Sequence, residues 1–191
     1  MQNKSIGMLA RSALLAATLL GGAATAWTSA AMAATAAEIS RDAKQALKEL
    51  TQQEPKARTL ADKATAVLVF PKIVKAGMLV GGEGGEGALI KNGAVQGYYN
   101  LGAVSFGLQA GIQTFGYALF FMNEQALQYL DRSDGWSIGA GPSVVVVDKG
   151  IAASLTSTTL TQDVYAIPFG QKGLMAGVGL EGSKITRINP N

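Results

Sequence analysis

The stretch of sequence that most suggests chemistry is rich in glycine and contains two glutamates. Residues 77–90 read GMLVGGEGGEGALI, and residues 82–87 fit the spacing G-x-G-x-x-G of a dinucleotide-binding turn. Such a turn needs a helix directly after it, because the helix N-terminus receives the pyrophosphate. Here the sequence continues as ALIK-NG-AVQGYY, which predicts a strand and a hairpin. The phosphate-binding interpretation therefore fails.

The same stretch offers two carboxylates as an acid–base pair, Glu83 and Glu86. Residues three apart on a strand point to opposite faces, so these two cannot act on one substrate unless the glycines form a bulge or turn. We expect both to be solvent-facing charges that keep a glycine-rich edge soluble. Ser183 and Lys184 are adjacent and also point apart, and residues 131–135, DRSDG, lack the glutamate of a calcium loop.

Histidine and cysteine are both absent from the 191 residues. Catalysis by Ser-His-Asp or Cys-His groups needs an imidazole or a thiolate, as does almost every zinc, copper or haem site. Carboxylate chemistry, Ser-Lys chemistry and an all-oxygen metal site remain, but the candidate side chains point apart. We therefore predict a protein that is not an enzyme and that has no cofactor and no metal.

The first 33 residues have the features of a secretory signal peptide. Lys4 and Arg11 lie in a segment without acids, an alanine-rich apolar stretch follows, and Ala-Met-Ala precedes Ala34 as a cleavage site. The alternative is an inner-membrane anchor formed by residues 12–33, which carry no charge and approach the roughly 20 residues of a membrane span. We expect cleavage and a periplasmic location.

Residues 34–191 would then form the mature protein, which is one domain of ordinary size. Without cysteine it has no disulfide and no site for a lipid anchor on a terminal cysteine. It carries fourteen bases and thirteen acids, whereas residues 38–75 alone carry eight bases and five acids. The mature chain is thus nearly neutral with a basic N-terminal third, and we expect no nucleic-acid partner.

Helical periodicity covers residues 36–66. Pro55 divides this part into two helices because proline interrupts a helix interior. A further helix is predicted in residues 122–132, MNEQALQYLDR, with Asn123 as its N-cap. The sequence thus predicts two N-terminal helices and one helix inserted later.

The remaining chain, residues 67–191, shows the period of two that is typical of strands. Asn92-Gly93 predicts a tight hairpin, and the alternation over residues 104–114 predicts a half-buried strand. Glycine and turn signals recur at short intervals. We predict a mainly β (α+β) fold with an antiparallel, glycine-rich sheet that is closed or two-layered.

The basic stripe of the first helix, which includes Lys44 and Lys48, has two interpretations. The helix could lie on an anionic bilayer, or it could pack on its own sheet with a solvated charged face. The apolar arc holds only Ile39, Leu47 and Leu50 among alanines and lies opposite the bases, which favours packing on the sheet.

Four segments of the sequence resemble the SYLF domain family. They are FPKIVKAGMLVGGEGGEG, GAVSFGLQAGIQ, LFFMNEQALQYL and QKGLMAGVGLEGSKI, and the resemblance runs over residues 56–188. Family members include eukaryotic endocytic proteins whose domain binds phosphoinositides and in some cases actin, and exported bacterial proteins described as lipid-binding. This chain is similar to the bacterial kind. It departs from the family at Thr114-Phe115-Gly116, where relatives commonly carry an acidic residue.

The resemblance implies a non-catalytic phospholipid-binding domain that contacts anionic lipid through its basic N-terminal third. Lys72 and Lys75 in FPKIVKAG are the bases that match the family pattern. A shared tendency to a basic N-terminal segment adds five further candidates, Lys44, Lys48, Lys56, Arg58 and Lys63. The alternative is an interaction module of the cell envelope whose glycine-faced strands receive a protein partner.

Overall fold

Two helices open the fold in a computed structural model that describes residues 34–77, 80–106, 111–132, 134–147, 160–173, 180 and 182–191. Helix α1 (Ala36–Gln53) begins at a capping box in which the Thr35 hydroxyl accepts from the Glu38 amide and the Glu38 side chain accepts from the Thr35 amide. Helix α2 (Pro55–Lys63) begins at proline, which suits the first helical position. The two predicted N-terminal helices are therefore confirmed.

Within the described residues, eight strands form one sheet in the order β5-β8-β3-β2-β1-β4-β7-β6. The strands are β1 (Ala66–Gly77), β2 (Val80–Lys91), β3 (Ala94–Phe106), β4 (Gly111–Phe121), β5 (Trp136–Ser137), β6 (Val144–Val146), β7 (Val164–Gly173) and β8 (Lys184–Ile188). Between β4 and β5 lie helix α3 (Glu124–Leu127), capped by Asn123 as predicted, and a 3-10 turn (Gln128–Asp131). The β-rich fold class is confirmed.

One pair of strands corrects the prediction of an antiparallel sheet. Strands β6 and β7 run parallel, whereas every other pair in the described sheet is antiparallel. The connection over residues 147–163 is long enough for the crossover of about a dozen residues that a parallel pair requires. Residues 148–159, 174–179 and 181 of the predicted β-rich part lie outside the described residues.

The sheet curls so far that strands distant in the order meet across its inner face. The rings of Phe121 on β4 and Trp136 on β5 have centroids 5.9 Å apart. Five strand spacings separate these strands, which would be about 24 Å in a flat sheet. A continuous apolar core that includes Leu68, Tyr99 and Leu119 fills the inner face.

The outer face of the sheet carries α1 and α2 at one end. Their apolar side chains, Ile39, Ala43, Leu50, Ala57 and Leu60, pack with outward residues of the strands such as Val69 and Phe120. Helix α1 therefore lies on its own sheet, as the composition of its apolar arc indicates. The helices cover only the part of the outer face near these strand residues.

A bulge in β1 explains two of the glycines in GGEGGEG. The register of β1 shifts by one residue around Pro71-Lys72 against both neighbouring strands. A Cβ on Gly85 would lie 2.5 Å from the Lys72 carbonyl oxygen, and one on Gly87 would lie 2.4 Å from that of Val69. These glycines therefore permit the close backbone approach at the bulge.

Candidate functional site

An apolar surface lies on the outer face of the sheet beyond the end that the helices cover. We call it the outer patch, and it consists of Val74, Ala76, Val80, Val104 and Ile112. Four of its residues are large hydrophobic side chains with exposed fractions of 39% for Val74, 59% for Val80, 67% for Val104 and 66% for Ile112. Cross-strand partners share one face of a sheet, and the register aligns Val104, Gly82, Ala76 and Ile112 in one row. The patch is therefore contiguous across β3, β2, β1 and β4.

Two lysines flank this patch, and we call them the outer lysines. The adjacent outward row runs from Lys184 on β8 through Gly102, Gly84, Val74 and Thr114 to Lys172 on β7. Both lysines are exposed, and neither of these two rows contains a carboxylate. The patch thus has a positive charge at each side.

Two glycines of the motif, Gly82 and Gly84, leave the middle of the outer patch without side chains. A Cβ on Gly82 would meet only the Ala103 carbonyl oxygen, at 3.8 Å, and one on Gly84 only that of Leu101, at 3.6 Å. Both are ordinary van der Waals distances, so packing does not require glycine at these positions. In contrast to Gly85 and Gly87, these two glycines leave a shallow, open strip between Val104 and Val74.

A second set of polar residues lies on the inner face at the same end of the sheet. Direct cross-strand pairing places Glu83, Lys75 and Gln113 side by side on β2, β1 and β4, and we call them the inner polar row. The Lys75 Nζ lies 3.8 Å from Glu83 Oε2, and the Ser183 hydroxyl donates to Glu83 Oε1 at 3.3 Å. The Lys75 and Glu83 side chains are only 10% and 5% exposed.

Two buried polar atoms beside this row have no hydrogen-bond partner among the described residues: Gln113 Oε1 and the Tyr117 hydroxyl. Burial raises the pKa of Tyr117 well above its usual range, and the nearby Glu83 charge raises it further. Burial also raises the pKa of Glu83, while the Lys75 ammonium and the Ser183 hydroxyl oppose that shift. The inner polar row is thus poorly hydrated and incompletely hydrogen-bonded.

The bases predicted from the sequence occupy three environments. Lys75 faces the interior, whereas Lys72 is exposed in the β1 bulge. The other five lie on α1 and α2, where Lys56 is half-buried and the remaining four, Lys44, Lys48, Arg58 and Lys63, are exposed. The structure therefore does not bring Lys75 together with the other predicted residues.

The two glutamates of the motif do lie on opposite faces, but the expectation that both face solvent is wrong. Glu83 is buried beside Lys75. Glu86 is half-buried on the outer face, where its Oε2 accepts a hydrogen bond from the Ala34 nitrogen at 3.3 Å. Regular alternation along β2 places Glu83 on the same inner face as Leu89, and the extra residue of the β1 bulge brings Lys75 to that face beside it.

Sequence reasoning also missed the outer patch and the outer lysines. The predicted strand over residues 104–114 is divided, because β3 ends at Phe106 and β4 begins at Gly111. Its apolar residues Val104 and Ile112 are exposed rather than buried. No local signal relates Lys172 to Lys184, because five successive strand pairings are needed to place them in the same row. No helix within the described residues is long and apolar enough to cross a membrane.

An exposed apolar face flanked by lysines is typical of a binding surface. Residues 102–189 match the family model Ysc84, described as Las17-binding protein actin regulator. Over these residues the chain is similar to the SYLF family, which is a family of binding domains. The match covers the second part of β3 through β8, and the segments FPKIVKAG and GGEGGEG precede it. No curated protein matches the chain.

Proposed function

We propose that this chain is a non-catalytic domain that docks reversibly on anionic phospholipid membranes through the outer patch and the outer lysines. One observation carries the proposal: three hydrophobic side chains, Val80, Val104 and Ile112, are more than half exposed on one continuous surface. Exposed apolar surface of this kind marks interaction sites in soluble domains. Lys172 and Lys184 at its two sides make an anionic lipid surface the fitting partner.

The energetics favour weak, reversible docking. Full burial of a valine or isoleucine side chain contributes roughly 1.5–3 kcal/mol, and the outer patch would bury only part of four such chains. Each lysine near an anionic surface adds about 1 kcal/mol, and salt screens that contribution. Insertion and charge together therefore give an affinity that depends on both lipid charge and ionic strength.

The basic N-terminal third, which the family resemblance suggests, is the competing surface for the same function. Along residues 34–65 six bases alternate with five acids, so helices α1 and α2 have almost no net charge. Lys72 is exposed at the bulge and could assist either surface. We propose the outer patch as the principal contact because it combines apolar side chains with bases that have no acid in their rows.

Co-sedimentation with vesicles tests the proposal directly. The double variant Lys172→Glu/Lys184→Glu should lose most binding to vesicles that contain phosphatidylglycerol, and Ile112→Asn should weaken binding without a change in charge. The matched control Lys44→Glu/Lys48→Glu makes the same charge change on α1 and should retain most binding at moderate salt. Loss of binding in the control together with full binding in the first variant would assign the membrane contact to the helices.

We further propose that the domain works in the bacterial cell envelope after export. The basic, apolar and small-residue parts of residues 1–33 support this location. Fractionation of cells that express the whole sequence tests it: the proposal expects a periplasmic chain that begins at Ala34. A chain that keeps residues 12–33 and stays with the inner membrane would support the anchor instead.

A protein partner is the second candidate for the same surface. The family model that matches residues 102–189 is named for a protein that binds Las17 and regulates actin. The open strip over Gly82 and Gly84 would admit a partner segment closely. Vesicle binding separates the two candidates, because a purely protein-directed surface would leave anionic vesicles unbound at low salt.

A further inference from the structure

We propose that the inner polar row and the neighbouring Tyr117 form a binding site for a small neutral ligand with several hydroxyl groups. Glu83, Lys75 and Gln113 lie in register across three strands. The curled sheet encloses them, and most of the inner face elsewhere is an apolar core. This site lies on the opposite face of the sheet from the outer patch, and it does not depend on the proposed membrane contact.

Stability alone does not account for the ion pair. Taking both Lys75 and Glu83 out of water is costly, and apolar residues of similar size often serve a protein interior equally well. Their charged atoms are 3.8 Å apart, which is longer than a hydrogen bond. Each group therefore keeps hydrogen-bonding capacity that the pair itself does not use.

Unpartnered atoms beside the ion pair point to a ligand. Buried polar groups almost always have hydrogen-bond partners, yet Gln113 Oε1 and the Tyr117 hydroxyl have none within the described part of the chain. Tyr117 is fully buried, and Gln113 is only 3% exposed. The amide oxygen needs a donor, while the phenol can donate or accept.

The charges of the site select the class of ligand. One ammonium and one carboxylate leave the site without net charge, so a charged ligand would be buried without compensation. Hydroxyl groups both donate and accept hydrogen bonds. This matches the mixture of donors and acceptors on Lys75, Glu83, Gln113 and Tyr117. The Cα atoms of Gln113 and Tyr117 are about 13 Å apart along β4, so a ligand that contacts both side chains needs hydroxyl groups at more than one position. A free polyol meets these conditions.

Nuclear magnetic resonance of the protein expressed from its full sequence tests the free ligand without membranes. Glycerol and myo-inositol are the probes, and the reporter is the Gln113 side-chain amide, assigned by its absence in Gln113→Leu. We expect saturable shifts in the wild type and about tenfold weaker binding in Tyr117→Phe, which is the loss of one hydrogen bond. Tyr165→Phe, a buried tyrosine elsewhere in the sheet, should bind as the wild type does.

Vesicles of phosphatidylglycerol and phosphatidylserine at equal surface charge separate this site from the membrane contact. Because the two surfaces lie on opposite faces of the sheet, a domain docked through the outer patch should not prefer phosphatidylglycerol. A preference for phosphatidylglycerol that Tyr117→Phe removes would contradict this placement. No polyol-induced shift in the wild type, or equal binding in Tyr117→Phe, would overturn the site. Failure to bind any anionic vesicle would contradict the membrane proposal alone, since the polyol titration contains no lipid.

Discussion

The Lys75 ammonium lies 3.8 Å from a Glu83 carboxylate oxygen inside the curled sheet, with at most a tenth of either side chain exposed. This pair comes from two motifs, FPKIVKAG and GGEGGEG, that look like surface segments when the sequence is read alone. Direct pairing of β1 with β2 joins them. One charged residue of each motif, Lys75 and Glu83, thus has a structural role at the inner face before any role in binding.

Breaking the ion pair should be more harmful than removing it entirely. Lys75→Met leaves the Glu83 carboxylate buried without its partner, and such a loss costs about 3–5 kcal/mol of unfolding free energy. The double variant Lys75→Met/Glu83→Gln should recover most of that loss because no charge stays buried. Urea unfolding measures all three proteins, and equal stability of the two variants would contradict the pairing.

The stability of the wild type relative to Glu83→Gln should fall as the pH rises. Burial raises the pKa of Glu83 in the folded protein above the unfolded value of 4.5. The folded state therefore binds the proton more tightly, so the contribution of Glu83 is complete below pH 4.5 and is lost as the pH passes the raised pKa. Thermal unfolding of both proteins between acidic and neutral pH tests the sign. The opposite slope would mean that the Lys75 ammonium and the Ser183 hydroxyl outweigh burial and lower the pKa of Glu83, and no slope would place the carboxylate in water.

Two buried tyrosines should respond differently to loss of the hydroxyl. The Tyr165 hydroxyl accepts from the amides of Thr161 and Gln162 at 3.0 and 3.2 Å, so Tyr165→Phe should lower the unfolding free energy by about 1–3 kcal/mol. Tyr117→Phe removes a hydroxyl without a partner and should leave stability unchanged or higher. A comparable loss in both variants would mean that the Tyr117 hydroxyl is hydrogen-bonded in the ligand-free protein.

Glycines within one motif should tolerate alanine to different degrees. Gly85→Ala would place a methyl group against the Lys72 carbonyl oxygen and Ile73, and such overpacking costs about 1–3 kcal/mol. Gly84→Ala makes only an ordinary van der Waals contact with the Leu101 carbonyl oxygen and should raise stability by up to about 1 kcal/mol through the unfolded state. Chemical denaturation of the two variants checks the contrast, which equal effects would contradict.

Processing before Ala34, as proposed, should add an ion pair between the new N-terminus and β2. The Ala34 nitrogen already lies 3.3 Å from Glu86 Oε2, and cleavage would convert it from an amide to an ammonium. Glu86→Gln should then destabilise the mature chain by about 1 kcal/mol. This contribution should vanish as the pH rises above the amino-group pKa of about 8, because the ammonium loses its proton.

An acetylated chain that begins at Ala34 is the control for this prediction, because its nitrogen stays uncharged. Glu86→Gln should have a smaller effect there, and the effect should not change between neutral and alkaline pH. An equal effect in free and acetylated chains would show that the hydrogen bond alone is responsible.

Features with local causes were predictable from the sequence. The hairpin between β2 and β3 follows from Asn92-Gly93, whose backbone adopts φ values of 52° and 76°. The α2 start at Pro55 and the cap at Asn123 likewise depend on neighbouring residues alone. The β-rich class with its two N-terminal helices followed from such signals.

The binding surface was not predictable, because it depends on long-range register. The bulge at Pro71-Lys72 reverses the alternation along β1, so Val67 and Lys75 point to opposite faces although both have odd numbers. Glycine-rich β2 supplies few side chains that would reveal the change. The outer lysines share a row only through pairings across β8, β3, β2, β1, β4 and β7.

Tryptophan emission from single positions tests the membrane contact most directly. Val104→Trp places an indole on the outer patch, and Gln52→Trp places one on the exposed side of α1. The measurement uses a chain that begins at Ala34 and therefore lacks Trp27, so that only the buried Trp136 contributes a constant background. Docking through the outer patch predicts a blue shift for Val104→Trp with phosphatidylglycerol vesicles at low salt and none for Gln52→Trp. A blue shift at position 52 without one at position 104 would contradict the account.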